Sequence, residues 1–393
     1  MKNSLIQYKM EKKLSLYIHI PFCLRKCNYC DFLSFGGCDH RQMTEYAKAL
    51  VREIESYKGL FDDATVDTIF FGGGTPSIFE LPLLEEIFYA IKRAFAVSDN
   101  AEITLEMNPG TTDEKKLIGY RQLGINRLSI GLQSANKKEL ELLGRIHTYE
   151  KFVATMHDAR AAGFDNINID IMSGLPGQTL SDFRVTLSKV IALKPEHISC
   201  YDLIIEEGTP FYDDEKILDS LPDEETTHNM YNYTKTMLSG YGYKRYEISN
   251  YARPGYESRH NLTYWTDGRY LGLGLGASSY IGELRFKNSS ELGKYEKLTY
   301  EKCFGLTKPW NEEITVVNEK DHMEEYIFLG LRTMKGISVK NFHEVFGKDI
   351  FETYGEVIKK HIDEKLLVFE DGRIHLTDAG IWVSNYVMSD FLL

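Results

Sequence analysis

Six apolar runs rich in β-branched residues alternate with amphipathic stretches through the first half of this chain, and that alternation leaves few folds open. The runs are LSLYIHI (14–20), VDTIFF (66–71), AEITLEM (101–107), NRLSIGL (126–132), DNINIDI (165–171) and HISCYDL (197–203). Between them lie stretches with helical spacing, such as HRQMTEYAKALVREIESY, LPLLEEIFYAIKRAF, TTDEKKLIGYRQLG and TYEKFVATMHDARAAG. Strand–helix alternation predicts a parallel sheet with helices outside it. Right-handed crossovers give every strand the same direction, and six repeats suit a complete or partial barrel. At 393 residues the chain exceeds one ordinary core, so an appendage or second module is expected.

The polar and glycine-rich motifs fall in register with these strands. Cysteines follow the first, GGGTPS (72–77) the second, and Glu106-Met-Asn-Pro-Gly the third. GLQS (131–134) follows the fourth, and Asp170 with the loop SGLPGQT (173–179) the fifth. In α/β folds the carboxyl ends of the strands carry the site.

Cys23, Cys27 and Cys30 are half of the chain's six cysteines. A C-x₃-C-x₂-C loop offers three thiolates, and iron–sulfur clusters take one cysteine per iron. Three would leave the fourth iron of a cubane open to an amino acid's amine and carboxylate. If that amino acid is the methionyl part of S-adenosylmethionine (SAM), one electron from the cluster can break its sulfonium C–S bond. Zinc is the competing reading, but no second ligand pair lies nearby. Cys38, beyond the Gly36-Gly37 turn, is a further candidate ligand; Cys200 and Cys303 read as ordinary buried cysteines. His19, alternating with Tyr17, either supports the cysteine loop or is a satisfied interior histidine.

Composition narrows the partners. With 46 Lys+Arg against 58 Asp+Glu the net charge is −12, which argues against nucleic acid. No apolar run reaches membrane-span length, and residues 1–13 lack a secretory apolar core, so a cytoplasmic protein is expected. Clustered cysteines suit metal binding there better than disulfides.

Three segments are expected: 1–205 with the cysteine loop, 206–320 with turns and antiparallel strands, and 321–393. The last reads as helices followed by a hairpin, LLVFEDGRIHLT, turning at Asp371-Gly372, the pattern of a winged-helix module. Its 338–375 stretch carries six Lys/Arg against eight Asp/Glu, so docking or structural support is favoured over DNA binding. GLGLGA (272–277) fits G-x-G-x-x-A, but SSYIGELRF after it reads as strand where a dinucleotide fingerprint needs a helix.

Together, YIHIPFCxxxCxxCxF, GGGTP, ExNP, GLQS and the D-x-x-x-G-L-P-G-Q-T loop resemble the radical SAM family of oxygen-independent coproporphyrinogen III oxidase-like (HemN/HemW) proteins, over nearly the whole chain. The resemblance implies an α/β fold, an incomplete (β/α)₆ TIM-like radical SAM barrel with a C-terminal mixed region and a winged-helix-like module. It implies a 4Fe–4S cluster on Cys23, Cys27 and Cys30. It also implies SAM contacts from Tyr17, Gly73, Gly74, Thr75 and Glu106, with Gln133, Arg145 and Asp170 lining the remaining SAM and substrate space.

Two departures separate the chain from the family's oxidases. Phe32 stands where they carry a fourth cysteine, and only 22 residues precede Cys23. His260-Asn-Leu-Thr-Tyr-Trp265 matches the HNxxYW pattern that the family's heme-chaperone branch links to heme. An imidazole is a common axial ligand, and Tyr and Trp offer flat faces to a porphyrin. A cysteine or another of the 11 histidines could serve instead of His260. The expectation is a heme carrier that delivers heme to acceptors such as respiratory cytochromes, with an electron donor needed if SAM is cleaved. The alternatives are radical decarboxylation of coproporphyrinogen III and modification of heme itself, so whether the chain is an enzyme is left open. A peripheral membrane contact would suit such acceptors, although no basic amphipathic helix announces one.

Overall fold

A computed structural model describes residues 12–299, 303 and 305–392. Most of the 1–13 stretch read for a secretory signal therefore falls outside the described residues. All six expected strands are present: β1 (Lys13–Ile20), β2 (Thr65–Gly73), β3 (Ala96–Met107), β4 (Arg127–Gln133), β5 (Ile167–Ser173) and β6 (His197–Asp202). The chain divides into two compact units that interleave in sequence. One holds Met1–Asn168, Ile205–Leu218 and Arg269–Val316; the other holds Ile169–Ile204, Asp219–Gly268 and Val317–Leu393.

In the first unit β1 pairs with β2, β2 with β3 and β3 with β4, all parallel. Six of the seven β4 residues are buried, the near-continuous apolar run of a strand covered on both faces. On the other side of β1 lies Tyr270–Leu273, followed outward by Ser278–Ile281, Leu284–Asn288 and Asn311–Val316. This region reads as antiparallel from its turns, but Tyr270–Leu273 runs parallel to β1 and only the later pairings are antiparallel. Turn residues between neighbouring strands carry no signal for pairing with a strand 250 residues earlier.

A buried carboxylate ties this region to the helix His40–Ser56, which starts in a capping box between Asp39 and Gln42. Glu53 is fully buried and accepts from the Gly274 N–H (2.7 Å), Asn288 Nδ2 (2.6 Å), Tyr295 OH (2.5 Å) and Trp310 Nε1 (3.2 Å). Burial raises its pKa to about 7, and these four donors hold it back from going higher. GLGLGA is therefore a structural run: a Cβ at Gly274, whose φ is +100°, would lie 2.6 Å from Tyr46 Oη.

In the second unit β6 pairs antiparallel with Asn250–Ala252. The helices Glu319–Leu331, Val339–Phe346 and Ile350–Asp363 and the strands Leu367–Glu370 and Arg373–Leu376 form the expected winged-helix-like module. Asp371 and Gly372 both have positive φ (51° and 71°), as a tight two-residue hairpin turn requires. Its core includes Ile327, Leu331, Phe342, Ile358 and Ile374.

Candidate functional site

The cysteine loop leaves β1 and is pinned at both ends. The Phe35 N–H donates to the Pro21 carbonyl (2.7 Å), and the short strand Phe22–Cys23 pairs with Phe35–Gly36. Midway, Asn28 donates through its backbone N–H to Leu143 O (3.0 Å) and through Nδ2 to Leu142 O (2.8 Å). Cys23, Cys27 and Cys30 are half-buried and unbridged.

Each of the three sulfurs faces a hydrogen-bond donor. Thr75 Oγ1 donates to Cys23 Sγ (3.4 Å), and Arg145 Nη1 to Cys27 Sγ (3.6 Å). Burial pushes the Cys23 and Cys30 thiols up, partly offset by Thr75 and Ser34 at Cys23 and by the Phe32 backbone at Cys30. Donors aimed at separate sulfurs fit a cluster, in which each thiolate takes its own iron. Among the described residues no three His, Cys, Asp or Glu side chains gather as for a single ion.

Behind the loop, His19 fixes the end of β1. Its Nε2 donates to the Leu33 carbonyl (2.9 Å), so its Nδ1 accepts from Tyr17 OH (3.0 Å). Burial lowers its pKa, in keeping with a neutral ring that supports the loop.

The glycines of GGGTPS are required locally. A Cβ at Gly74 would stand 2.6 Å from Phe22 O, and one at Gly73 (φ +115°) 2.6 Å from the His19 ring. The Gly73 N–H donates to Glu106 Oε2 (3.1 Å). Glu106 is the penultimate residue of β3, and Gln133 ends β4 at a strained φ of +68°. Asp170 lies in the middle of β5, where the motif reading puts it after the strand.

A cleft opens beside Cys27, lined by Thr75, Asn108, Thr111, Arg145 and His147 among others. The motifs assign no role to Asn108 or His147. Asn108 donates to Thr75 Oγ1 (2.9 Å) and accepts from Arg145 Nη2 (2.6 Å), so the N of E-x-N-P was the available signal. His147 donates from Nε2 to the Leu132 carbonyl (3.3 Å), and burial beside the Arg145 charge lowers its pKa to about 4.

The first unit thus carries the three cysteines with Tyr17, Gly73, Gly74, Thr75, Glu106, Gln133 and Arg145, while Asp170 and His260 belong to the second. His260 sits in the helix Arg259–Trp265, is 1 % exposed, and its Nε2 is hydrogen-bonded to Tyr264 OH (2.9 Å). The Arg332 guanidinium lies 4.5 Å from the Trp265 ring centre.

The family model described as Radical SAM superfamily matches residues 17–190, and that of the HemN C-terminal domain matches 317–383. The structure of coproporphyrinogen III oxidase (HemN) from Escherichia coli, a radical SAM enzyme, superposes with a TM-score of 0.84 at 25 % identity. It covers 97 % of this chain and 90 % of that one. Heme chaperone HemW of Lactococcus lactis is 37 % identical over 98 % of both chains. That of Bacillus subtilis is 36 % identical over 96 % of this chain and 99 % of its own. The chain belongs to the radical SAM superfamily and, within it, to the family of HemW heme chaperones. It has the superfamily's α/β fold, and its cofactors are those of the superfamily, a 4Fe–4S cluster and SAM. Among the described residues no helix is long and apolar enough to cross a membrane.

Proposed function

We propose that this chain binds heme and delivers it to an acceptor hemoprotein such as a respiratory cytochrome, with its 4Fe–4S cluster on Cys23, Cys27 and Cys30 and SAM beside it. The observation that carries the reading is the end-to-end relation to a heme chaperone, 98 % of each chain. Phe32 adds support: it is 65 % exposed at the place of the oxidases' fourth cysteine and brings no further thiol to the loop.

When bound, the cluster supplies one electron and SAM the sulfonium bond that this electron can break; an external donor is needed for that step. Tyr17, Gly73, Gly74, Thr75 and Glu106 are assigned to holding SAM, with Gln133, Arg145 and Asp170 lining the space around it. In the residue division 1–205, 206–320 and 321–393, these tasks fall to the first segment, heme association to the second and partner docking to the third.

Heme is assigned to the HNLTYW region. Trp265 Nε1 and Arg332 Nε are buried with no hydrogen-bond partner among the described residues, and a porphyrin carboxylate could accept from both. His260 is the candidate axial ligand, and an iron at Nε2 requires its Tyr264 bond to open.

Anaerobic reconstitution followed by titration with SAM and then heme tests the reading. A saturable Soret shift, with coproporphyrinogen III left unchanged, is expected. Conversion of coproporphyrinogen III with consumption of SAM would overturn it in favour of the oxidase.

A further inference from the structure

Two of the three cluster sulfurs are end points of one chain of side-chain hydrogen bonds. Arg145 Nη1 reaches Cys27 Sγ (3.6 Å), and Arg145 Nη2 donates to Asn108 Oδ1 (2.6 Å). Asn108 Nδ2 donates to Thr75 Oγ1 (2.9 Å), and Thr75 Oγ1 donates to Cys23 Sγ (3.4 Å). Chemistry fixes the direction of every link. A guanidinium only donates, so the Asn108 oxygen faces Arg145 and its amide nitrogen faces Thr75. The Thr75 oxygen accepts from that nitrogen, and its single proton is left for the sulfur. Gly131 makes the room: a Cβ there would stand 3.1 Å from Arg145 Nη2 and 3.1 Å from Asn108 Oδ1. Arg145 also donates to Gly131 O (2.6 Å), which anchors the guanidinium to β4.

We propose that Asn108 is a positioning residue that sets the reduction potential of the cluster, by aiming the Thr75 hydroxyl and the Arg145 guanidinium at the sulfurs of Cys23 and Cys27. The inference rests on the assignment of the cluster to Cys23, Cys27 and Cys30. A one-electron reduction adds negative charge to the cluster and its thiolates. Donors to those sulfurs then stabilise the reduced form more than the oxidised one, and the potential rises. Asn108 touches neither sulfur in any of these bonds; it acts by holding the two groups that do.

The test is an EPR-monitored redox titration without SAM, with dithionite as reductant, after iron and sulfide have been counted. Parent, N108A, T75V and T75S proteins are compared. N108A and T75V are expected to hold a full cluster at a lower midpoint, by about a tenfold change in the reduction equilibrium, or roughly 59 mV for one electron. N108A should fall at least as far as T75V because both sulfurs lose their fixed donor, and T75S, which keeps the hydroxyl, should stay at the parent value. Unchanged midpoints in N108A and T75V at full iron content would overturn the proposal. If N108A fails to hold iron, the T75V and T75S pair decides: equal midpoints refute the proposal, and a drop confined to T75V supports it. A parent protein that takes up no cluster would instead remove the cysteine assignment and the proposal with it.

Discussion

The cysteine loop and the HNLTYW helix are the two most distinctive local patterns in the chain, and the fold treats them in opposite ways. The loop keeps its three cysteines half-buried, with Cys27 at the edge of a cleft, and gives their sulfurs hydrogen-bond donors. The helix buries His260 to 1 % exposure and gives its Nε2 a partner on the next turn. A pattern of ligand-type residues is thus one observation, and an accessible ligand atom is another. The first region leaves its ligand atoms half-buried, whereas the second encloses its imidazole.

The largest effect expected is at the loop. Cys23→Ser, Cys27→Ser or Cys30→Ser should abolish the cluster, measured as iron and sulfide after anaerobic reconstitution; a full cluster in any of them would refute the assignment.

Next in size is the buried carboxylate that ties the helix His40–Ser56 to the region of the strand Tyr270–Leu273. Glu53→Ala leaves four donors around an empty site and should cost about 3–5 kcal/mol. This can be read from the urea midpoint followed by Trp310 emission, with Trp265 and Trp382 replaced by Phe.

The same probe tests a pH balance. The folded pKa of Glu53, about 7, lies above its ordinary 4.5, so its stabilisation is present below pH 4.5 and lost as pH rises through 7. The folded pKa of His147, about 4, lies below its ordinary 6.5, so its contribution is present above pH 6.5 and lost as pH falls through 4. The slopes cancel between, and the parent's stability should be flat there with respect to these two groups. His147→Gln should unmask a fall of roughly 3 kcal/mol from pH 4.5 to 6.5, at about 1.4 kcal/mol per pH unit. A profile as flat as the parent's would show that the two groups do not oppose each other.

At the helix the effect is smaller and of opposite sense for binding. Tyr264→Phe removes the 2.9 Å bond to His260 Nε2, which should cost about 1 kcal/mol of stability and tighten heme several-fold. Unchanged heme affinity would leave His260 out of the iron's coordination. Smallest is Phe32→Ala: the side chain is 65 % exposed, so stability should move by less than about 0.5 kcal/mol and cluster content not at all.

Much of the fold was legible because its signals are local. The six strands carry their burial in consecutive residues, the Asp371-Gly372 turn needs two positive φ values that its residues accept, and the cysteines share one loop. The candidate site was legible only in part. Glu106 and Gln133 fall at strand ends as the motifs imply, whereas Asp170 is mid-strand, because a strand's last residue depends on its pairing partners. GLGLGA was set aside as a nucleotide motif on the strand that follows it, but the reason for its glycines was out of reach: it lies in Tyr46 and Glu53, more than 200 residues away.

The sequence by itself determined that three thiolates sit on one loop after a parallel strand and that the second half ends in a winged-helix-like module. Spacing and periodicity carry that information within a few residues. Only the tertiary structure decided that Thr75 reaches Cys23 across 52 positions and Arg145 reaches Cys27 across 118, with Asn108 between them. It alone decided that Tyr270–Leu273 runs parallel to β1 and that His260 is enclosed. These outcomes depend on strand order and register, which bring distant side chains within hydrogen-bond reach and leave no trace in the local pattern of either partner.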